Sequence, residues 1–156
     1  MSSFHAKAPR PNRQSCATPV RVLEELKAEF ELGDYDPCPN SGDSQPKMNG
    51  LKIDWGSEGE RIFVNPPYGD CKSWVTKAIE QCTQRKCFIV MLLPTWVYTR
   101  WWHELVQPNA SCVRFLCGRL KFPPHKTQAS FGSVVVVFDP QKLGMWYRLM
   151  EQCGGV

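Results

Sequence analysis

The sequence predicts an α/β fold: a reduced, mostly parallel sheet with an antiparallel last strand and helices on both faces. Three observations predict it. Apolar runs at 62–65 and 87–93 alternate with stretches of helical periodicity, the pattern of parallel strands joined by helices. The last two strand candidates, 111–116 and 133–138, have only a loop between them, so the final strand should run against the rest. The stretch from Cys38 to Arg61 is too short for two full βα units, each of which needs a crossover of at least roughly 10–12 residues.

A chain of 156 residues can bury one real core and is too short for two ordinary domains. With 42% hydrophobic and 22% charged residues it belongs with globular rather than disordered chains. The excess of 19 Lys and Arg over 15 Asp and Glu, a net charge of +4, permits a polyanionic partner without demanding one. No apolar run reaches the length of a membrane span. Residues 1–14 lack the apolar core of a secretory signal, so an intracellular setting without membrane contact is expected. There the cysteines should be free thiols. No Cys-x-x-Cys occurs, and His5, His103 and His125 are not at finger spacing, so no metal is expected.

Residues 1–16, polar and basic, read as a flexible arm, and 17–152 as a single domain. Thr18-Pro19 reads as a helix start, with Thr18 as N-cap and Pro19 at the first helical position. Val22, Leu23, Leu26 and Phe30 follow at helical spacing, and Gly33 is a plausible stop. Tyr35 to Pro39 is a short strand candidate cut off by prolines, 40–49 is a loop by composition, and Leu51 to Trp55 is a short extended candidate. Ile62 to Asn65 is the central strand. Cys71 to Gln84 is a helix with Asp70 as N-cap and Trp74, Ala78 and Ile79 inward. Cys87 to Leu93 is a buried strand ended by Pro94. Val97 to Val106 is a helix in which Trp101 and Trp102 pack inward, at most one ring exposed. A basic, proline-bearing loop, 118–132, separates the last two strands, and Lys142 to Met150 is a terminal helix.

The stretch that carries chemistry is Asn65-Pro66-Pro67-Tyr68-Gly69. Two prolines cannot continue a ladder, so the strand stops there and a stiff turn begins. In open α/β sheets ligands bind at the carboxyl ends of the strands. An aromatic amino group is a poor nucleophile because its lone pair is delocalised into the ring. Two acceptors that take both its N–H groups favour the reactive, tetrahedral form. The Asn65 side-chain oxygen and the Pro66 carbonyl can be that pair, and Tyr68 can stack on an extracted base.

Asn-Pro-Pro-Tyr after a strand resembles the catalytic motif of amino-group methyltransferases that use S-adenosylmethionine. The wider chain, Thr18 to Asp139, resembles the phage-type DNA N6-adenine methyltransferase (Dam) family. The resemblance rests on Thr18-Pro19, Asp36-Pro37-Cys38, Gly50-Leu51 with Asp54-Trp55, Asn65 to Gly69, Trp74-Val75, Met91 to Pro94, Thr99 to Trp101 and Gly118 to Phe122, in that order. It implies a reduced Rossmann-like methyltransferase sheet and methyl transfer at Asn65, Pro66, Pro67 and Tyr68. It also implies a cofactor held by Thr18, Pro19, Asp36, Pro37 and Asp54. Taken alone, Asp54 beside Trp55 reads as structural. The glycine-rich turn typical of larger methyltransferases is absent, which implies a shallow adenosine pocket or one completed by a homodimer or partner subunit.

DNA is the expected partner. Arg100, Arg119, Lys121 and Lys126, with His125, are the candidate phosphate contacts. Two further readings stand beside this one. One is amino-group methylation of RNA, cytosine N4 or a protein glutamine, although cytosine N4 enzymes more often carry Ser in place of Asn65. The other is a catalytically silent nucleic-acid-binding module.

Overall fold

The computed structural model describes residues 17–39 and 49–153, so the arm predicted over 1–16 and most of the loop predicted over 40–49 lie outside the described residues. Four strands form one open sheet in the order β1-β2-β4-β3. They are β1 (Arg61–Val64), β2 (Phe88–Pro94), β3 (Cys112–Phe115) and β4 (Ser133–Phe138). β1 and β2 are parallel, while β4 is antiparallel to both β2 and β3. Three strands therefore point one way and the last runs against them, as the loop between β3 and β4 predicts. Because β4 inserts between β2 and β3, only one hydrogen-bonded strand pair among the described residues is parallel. Burial accounts for that order. Every residue of β4 is buried and needs neighbours on both sides, whereas β3 leaves Cys112, Arg114 and Phe115 exposed, as an edge can.

Alternation along the strands builds two cores. Ile62, Val64, Ile89, Met91, Leu93, Val134, Val136 and Phe138 face one side. There they meet Trp74, Val75, Ala78 and Cys82 of α2 (Cys71–Arg85), with Trp102 and Val106 beyond. Phe63, Val90, Leu92, Val135 and Val137 face the other side, under Leu26 of α1 (Val20–Phe30) and Phe122 of the basic loop. Each such side chain, fully buried, contributes roughly 1.5–3 kcal/mol. Helices thus cover both faces. Among the described residues no helix is long and apolar enough to cross a membrane.

Several boundaries differ from expectation. Pro19, extended at ψ 129°, is the N-cap of α1 rather than its first helical residue, and Thr18 precedes the cap. The helix ends on Glu31 in the left-handed region, and Gly33 donates its N–H to the Arg61 carbonyl at 2.9 Å along the outer edge of β1. Asp70 caps α2 in position, but its carboxylate takes the Ser73 hydroxyl at 2.7 Å. Pro94 is the last residue of β2, paired with Ser133, where the lost donor costs least. The helix predicted from Val97 begins at Arg100, has π geometry over Trp102–Val106 and passes into α3 (Gln107–Asn109). Trp102 is buried and Trp101 half-buried. The terminal helix, α4, spans Met145–Gln152.

The strand candidates at 35–39 and 51–55 are not strands. Pro37 and Pro39 remove ladder donors, and the Asp36 carboxylate takes the Cys38 N–H at 2.8 Å, closing a local turn. Trp55 turns fully into the core, stacks on Trp74 at 6.0 Å and donates Nε1–H to the Gly50 carbonyl at 2.7 Å. A Cβ on Gly50 would lie 2.3 Å from the Pro37 carbonyl oxygen and 2.8 Å from the Trp74 ring. Glycine therefore lets the two irregular segments pack against each other and the start of α2.

Candidate active site

The carboxyl ends of β1, β2 and β3 and the amino end of β4 all lie at one end of the sheet. Three connections emerge there: Asn65 to Asp70 after β1, Thr95 to Thr99 after β2, and the basic loop between β3 and β4. Asn65 and Pro66 are buried, and Pro67 and Tyr68 half-buried. Past the prolines the chain tightens into a 3-10 turn, Tyr68–Asp70, with Asp70 N–H donating to the Pro67 carbonyl at 3.0 Å. The Cys71 thiol donates to the Tyr68 carbonyl at 3.5 Å. The turn is thus fixed by its own backbone and by the first residue of α2.

Asn65, only 4% exposed, donates through Nδ2 to the Thr18 hydroxyl at 3.0 Å. The amide oxygen consequently lies on the arm turned away from Thr18. This bond joins two of the predicted site residues across 47 positions of sequence. Pro19 follows directly as the cap of α1.

Tyr68 sits among three other rings. Phe131 lies at 5.3 Å, Phe122 at 5.9 Å and Trp96 at 6.4 Å, all near edge-to-face, and Trp96 meets Phe131 at 5.6 Å. Such pairs contribute roughly 0.5–1.5 kcal/mol each beyond area burial. Trp96 and Phe131 escaped the sequence reading. Their signal was position: each lies within two residues of a strand end on the side where Asn65 emerges.

Asp36 and Pro37 lie beside the outer edge of β1 and the start of α2, through Gly33 on Arg61 and Gly50 on Pro37 and Trp74. Burial raises the Asp36 carboxyl above its ordinary value, against the Cys38 N–H and Lys27. A carboxylate held this way is suited to receive hydroxyl or ammonium donors of a ligand. Asp54 is not brought to this place. Its carboxylate takes Gln81 Nε2–H at 3.2 Å and pairs with Arg85 at 3.3 Å, at the end of α2 that leads into β2. That is the opposite end of the sheet from Asn65. The Gln81 oxygen in turn accepts the Trp55 N–H at 2.8 Å, so Asp54 belongs to a structural network.

The basic residues gather at the same end of the sheet as Asn65. Arg119, Lys121, His125 and Lys126 are exposed on the loop between β3 and β4, and Arg100 is exposed just beyond the Thr95–Thr99 connection. Ala17 N–H donates to the Pro123 carbonyl at 3.0 Å, next to Thr18, and Phe122 is buried against Tyr68. The loop is therefore fastened to Ala17, next to Thr18, and to Tyr68, three residues past Asn65. Arg100 leans on Glu104 at 3.6 Å, an exposed pair of little energy.

Burial pushes the Cys71 thiol up to about 12, with Asp70 adding to it, so it is protonated at neutral pH. The Cys38 thiol is likewise pushed up to about 12 by burial and then by Asp36. Neither can serve as a thiolate nucleophile. Among the described residues no group of three or more His, Cys, Asp or Glu is placed to hold a metal ion. Apart from the exposed basic residues, this end of the sheet offers an amide, backbone carbonyls and aromatic rings, groups that can hold a flat, amino-bearing ring.

A family model described as DNA N-6-adenine-methyltransferase (Dam) matches residues 5–145. A protein named DNA N-6-adenine-methyltransferase, from Haemophilus phage HP1 (strain HP1c1), is 27% identical over 137 residues, covering 80% of this chain and 78% of that protein.

Proposed function

The chain belongs to the DNA N-6-adenine-methyltransferase (Dam) family, and from that membership we propose that it transfers a methyl group from S-adenosylmethionine to the N6 amino group of adenine in DNA. The observation that carries the reading is the Asn65–Thr18 bond: it orients a buried amide at the carboxyl end of β1 with its oxygen on the arm away from Thr18.

Adenine is drawn from its stack and its amino group accepts this orientation. The Asn65 oxygen and the Pro66 carbonyl take its two N–H groups, localising the lone pair on N6. Pro66 and Pro67 hold those acceptors rigid, so little reorganisation is needed when the bond forms. Tyr68, braced by Phe122, Phe131 and Trp96, provides the surface for the base. When bound, S-adenosylmethionine would supply an electrophilic methyl group and leave as the neutral thioether, while N6 gives up one of its two protons to water. Thr18 and Pro19 with Asp36 and Pro37 are the residues that would hold it, Asp36 by accepting from its amino or ribose hydroxyl groups. Asp54 is left to its structural role. Arg100, Arg119, Lys121 and Lys126 contact phosphates.

The test is methyl transfer from labelled donor to unmethylated duplex DNA, followed by digestion and chromatography. Label is expected in N6-methyladenine and should fall at least about 100-fold in Asn65→Ala, the scale of losing a preorganised polar contact. Label in another base, or an Asn65→Ala chain as active as the wild type, overturns the reading.

A further inference from the structure

The connection after β2 ends in an apolar point that the chemistry above does not use. Val97 and Tyr98 occupy the two corner positions of a β-turn closed by Thr99 N–H on the Trp96 carbonyl at 3.1 Å. The Thr99 hydroxyl donates to the same carbonyl at 2.7 Å. Thr95 N–H is tied to the Gly132 carbonyl at 3.0 Å, and the Trp96 ring packs on Phe131 and Tyr68. Yet from this rigid base Val97 is 37% exposed and Tyr98 78% exposed. A tyrosine held out on a fixed turn gains nothing from the fold.

Strand order says what it faces. β2 lies between β1 and β4. The turn therefore stands between the Asn65 motif on one side and the basic loop on the other, with exposed Arg100 one residue beyond it. A duplex gripped by Arg100, Arg119, Lys121 and Lys126 would lie across the turn. Extraction of adenine leaves a gap in the stack, and an inserted apolar or aromatic side chain recovers part of the lost stacking.

We propose that the Val97–Tyr98 turn is a wedge that enters duplex DNA, Tyr98 taking the stacking place vacated by the extracted adenine. This rests on the reading that the chain acts on adenine in duplex DNA, but its test does not require methyl transfer. The probe is a short duplex carrying one abasic site, which presents the gap ready-made, compared with the intact duplex. Wild type should bind the abasic duplex about tenfold more tightly, on the scale of one base–aromatic stack. Tyr98→Ala should lose that preference, and Tyr98→Trp should keep it. A wild type that does not distinguish the two duplexes, or a Tyr98→Ala chain that still does, overturns the wedge. Absence of methyl transfer by the wild type overturns the proposed function instead, so the two fail separately.

Discussion

The Asn65 side chain is held by Thr18 through a 3.0 Å bond that spans nearly the whole amino-terminal part of the described chain. The amide has one donating and one accepting arm, and the proposed reaction uses the accepting arm. Fixing the donor on Thr18 selects the productive flip. Thr18→Val removes the hydroxyl and keeps the shape. It should lower kcat about tenfold, the equivalent of one net hydrogen bond, while Thr18→Ser restores it. A rise in the dissociation constant for S-adenosylmethionine with kcat unchanged would move Thr18 to a purely cofactor-binding role.

Asp36 should report on the cofactor through pH. Burial raises its carboxyl above the ordinary 3.8. The folded chain then holds the proton more tightly than the unfolded one. The stabilising contribution is complete below 3.8 and is lost as pH rises through the folded value. Asp36→Asn cannot ionise, so it should flatten that decline and raise the neutral-pH melting temperature, while weakening cofactor binding. Melting curves across the acidic range and calorimetric titration with S-adenosylmethionine measure both.

Gln81 tests the structural assignment of Asp54. It is fully buried and bonds both the Trp55 N–H and Asp54. Gln81→Leu leaves a buried N–H without its acceptor and should cost about 1–3 kcal/mol by denaturant unfolding. Cofactor affinity should not change, because the network lies at the far end of the sheet. A weakened affinity at unchanged stability returns Asp54 to the cofactor site.

Phe122 carries both stability and loop position. It is 4% exposed against Tyr68 and the second core. Phe122→Ala should cost roughly 3–5 kcal/mol. DNA affinity at low temperature, where the chain stays folded, should fall as well, because the loop's basic residues lose their anchor. Unfolding curves and binding titrations at one salt concentration separate the two effects.

Arg119 and Lys121 should account for part of the salt dependence. If each meets a phosphate, Arg119→Glu with Lys121→Glu lowers the slope of log affinity against log salt by roughly 2, since each duplex phosphate contact contributes about 0.9. An unchanged slope would remove this loop from the phosphate contacts.

The apolar strands β1, β2 and β4 and the helix α2 were legible because buried strands and amphipathic helices write themselves as periodicity. The Asn65–Tyr68 turn was legible because two prolines leave the backbone few choices. Periodicity misled at Val97 to Thr99: Val97 and Tyr98 continue a helical pattern with Trp101 and Trp102, but the backbone spends those residues on a turn. The segments before β1 misled differently. Tyr35 and Trp55 look like strand residues, yet Tyr35 is half-buried and Trp55 fully buried from coil, and the bond that fixes Trp55 comes from Gln81, 26 residues away. The Thr18–Asn65 bond was invisible for the same reason. The insertion of β4 between its neighbours was hinted at in the sequence, since a run with no polar face is covered on both faces of the sheet, which is commonest for a central strand.

The loop between β3 and β4 is pinned at its stem, and past Pro123 its outer stretch is exposed. Ala129 N–H closes on the Leu120 carbonyl, Pro123 is held by Ala17, and 123–128 is exposed throughout. That makes the outer stretch a cassette. Residues there can be exchanged or lengthened for an entropic penalty of only about 0.6 kcal/mol per doubling of loop length, while the reaction centre below stays intact. If the loop grips DNA phosphates as proposed, that grip can change without disturbing the Asn65 turn. Chimaeras that exchange 124–128 between related chains, compared by melting temperature and by the salt dependence of DNA binding, measure how far that independence extends.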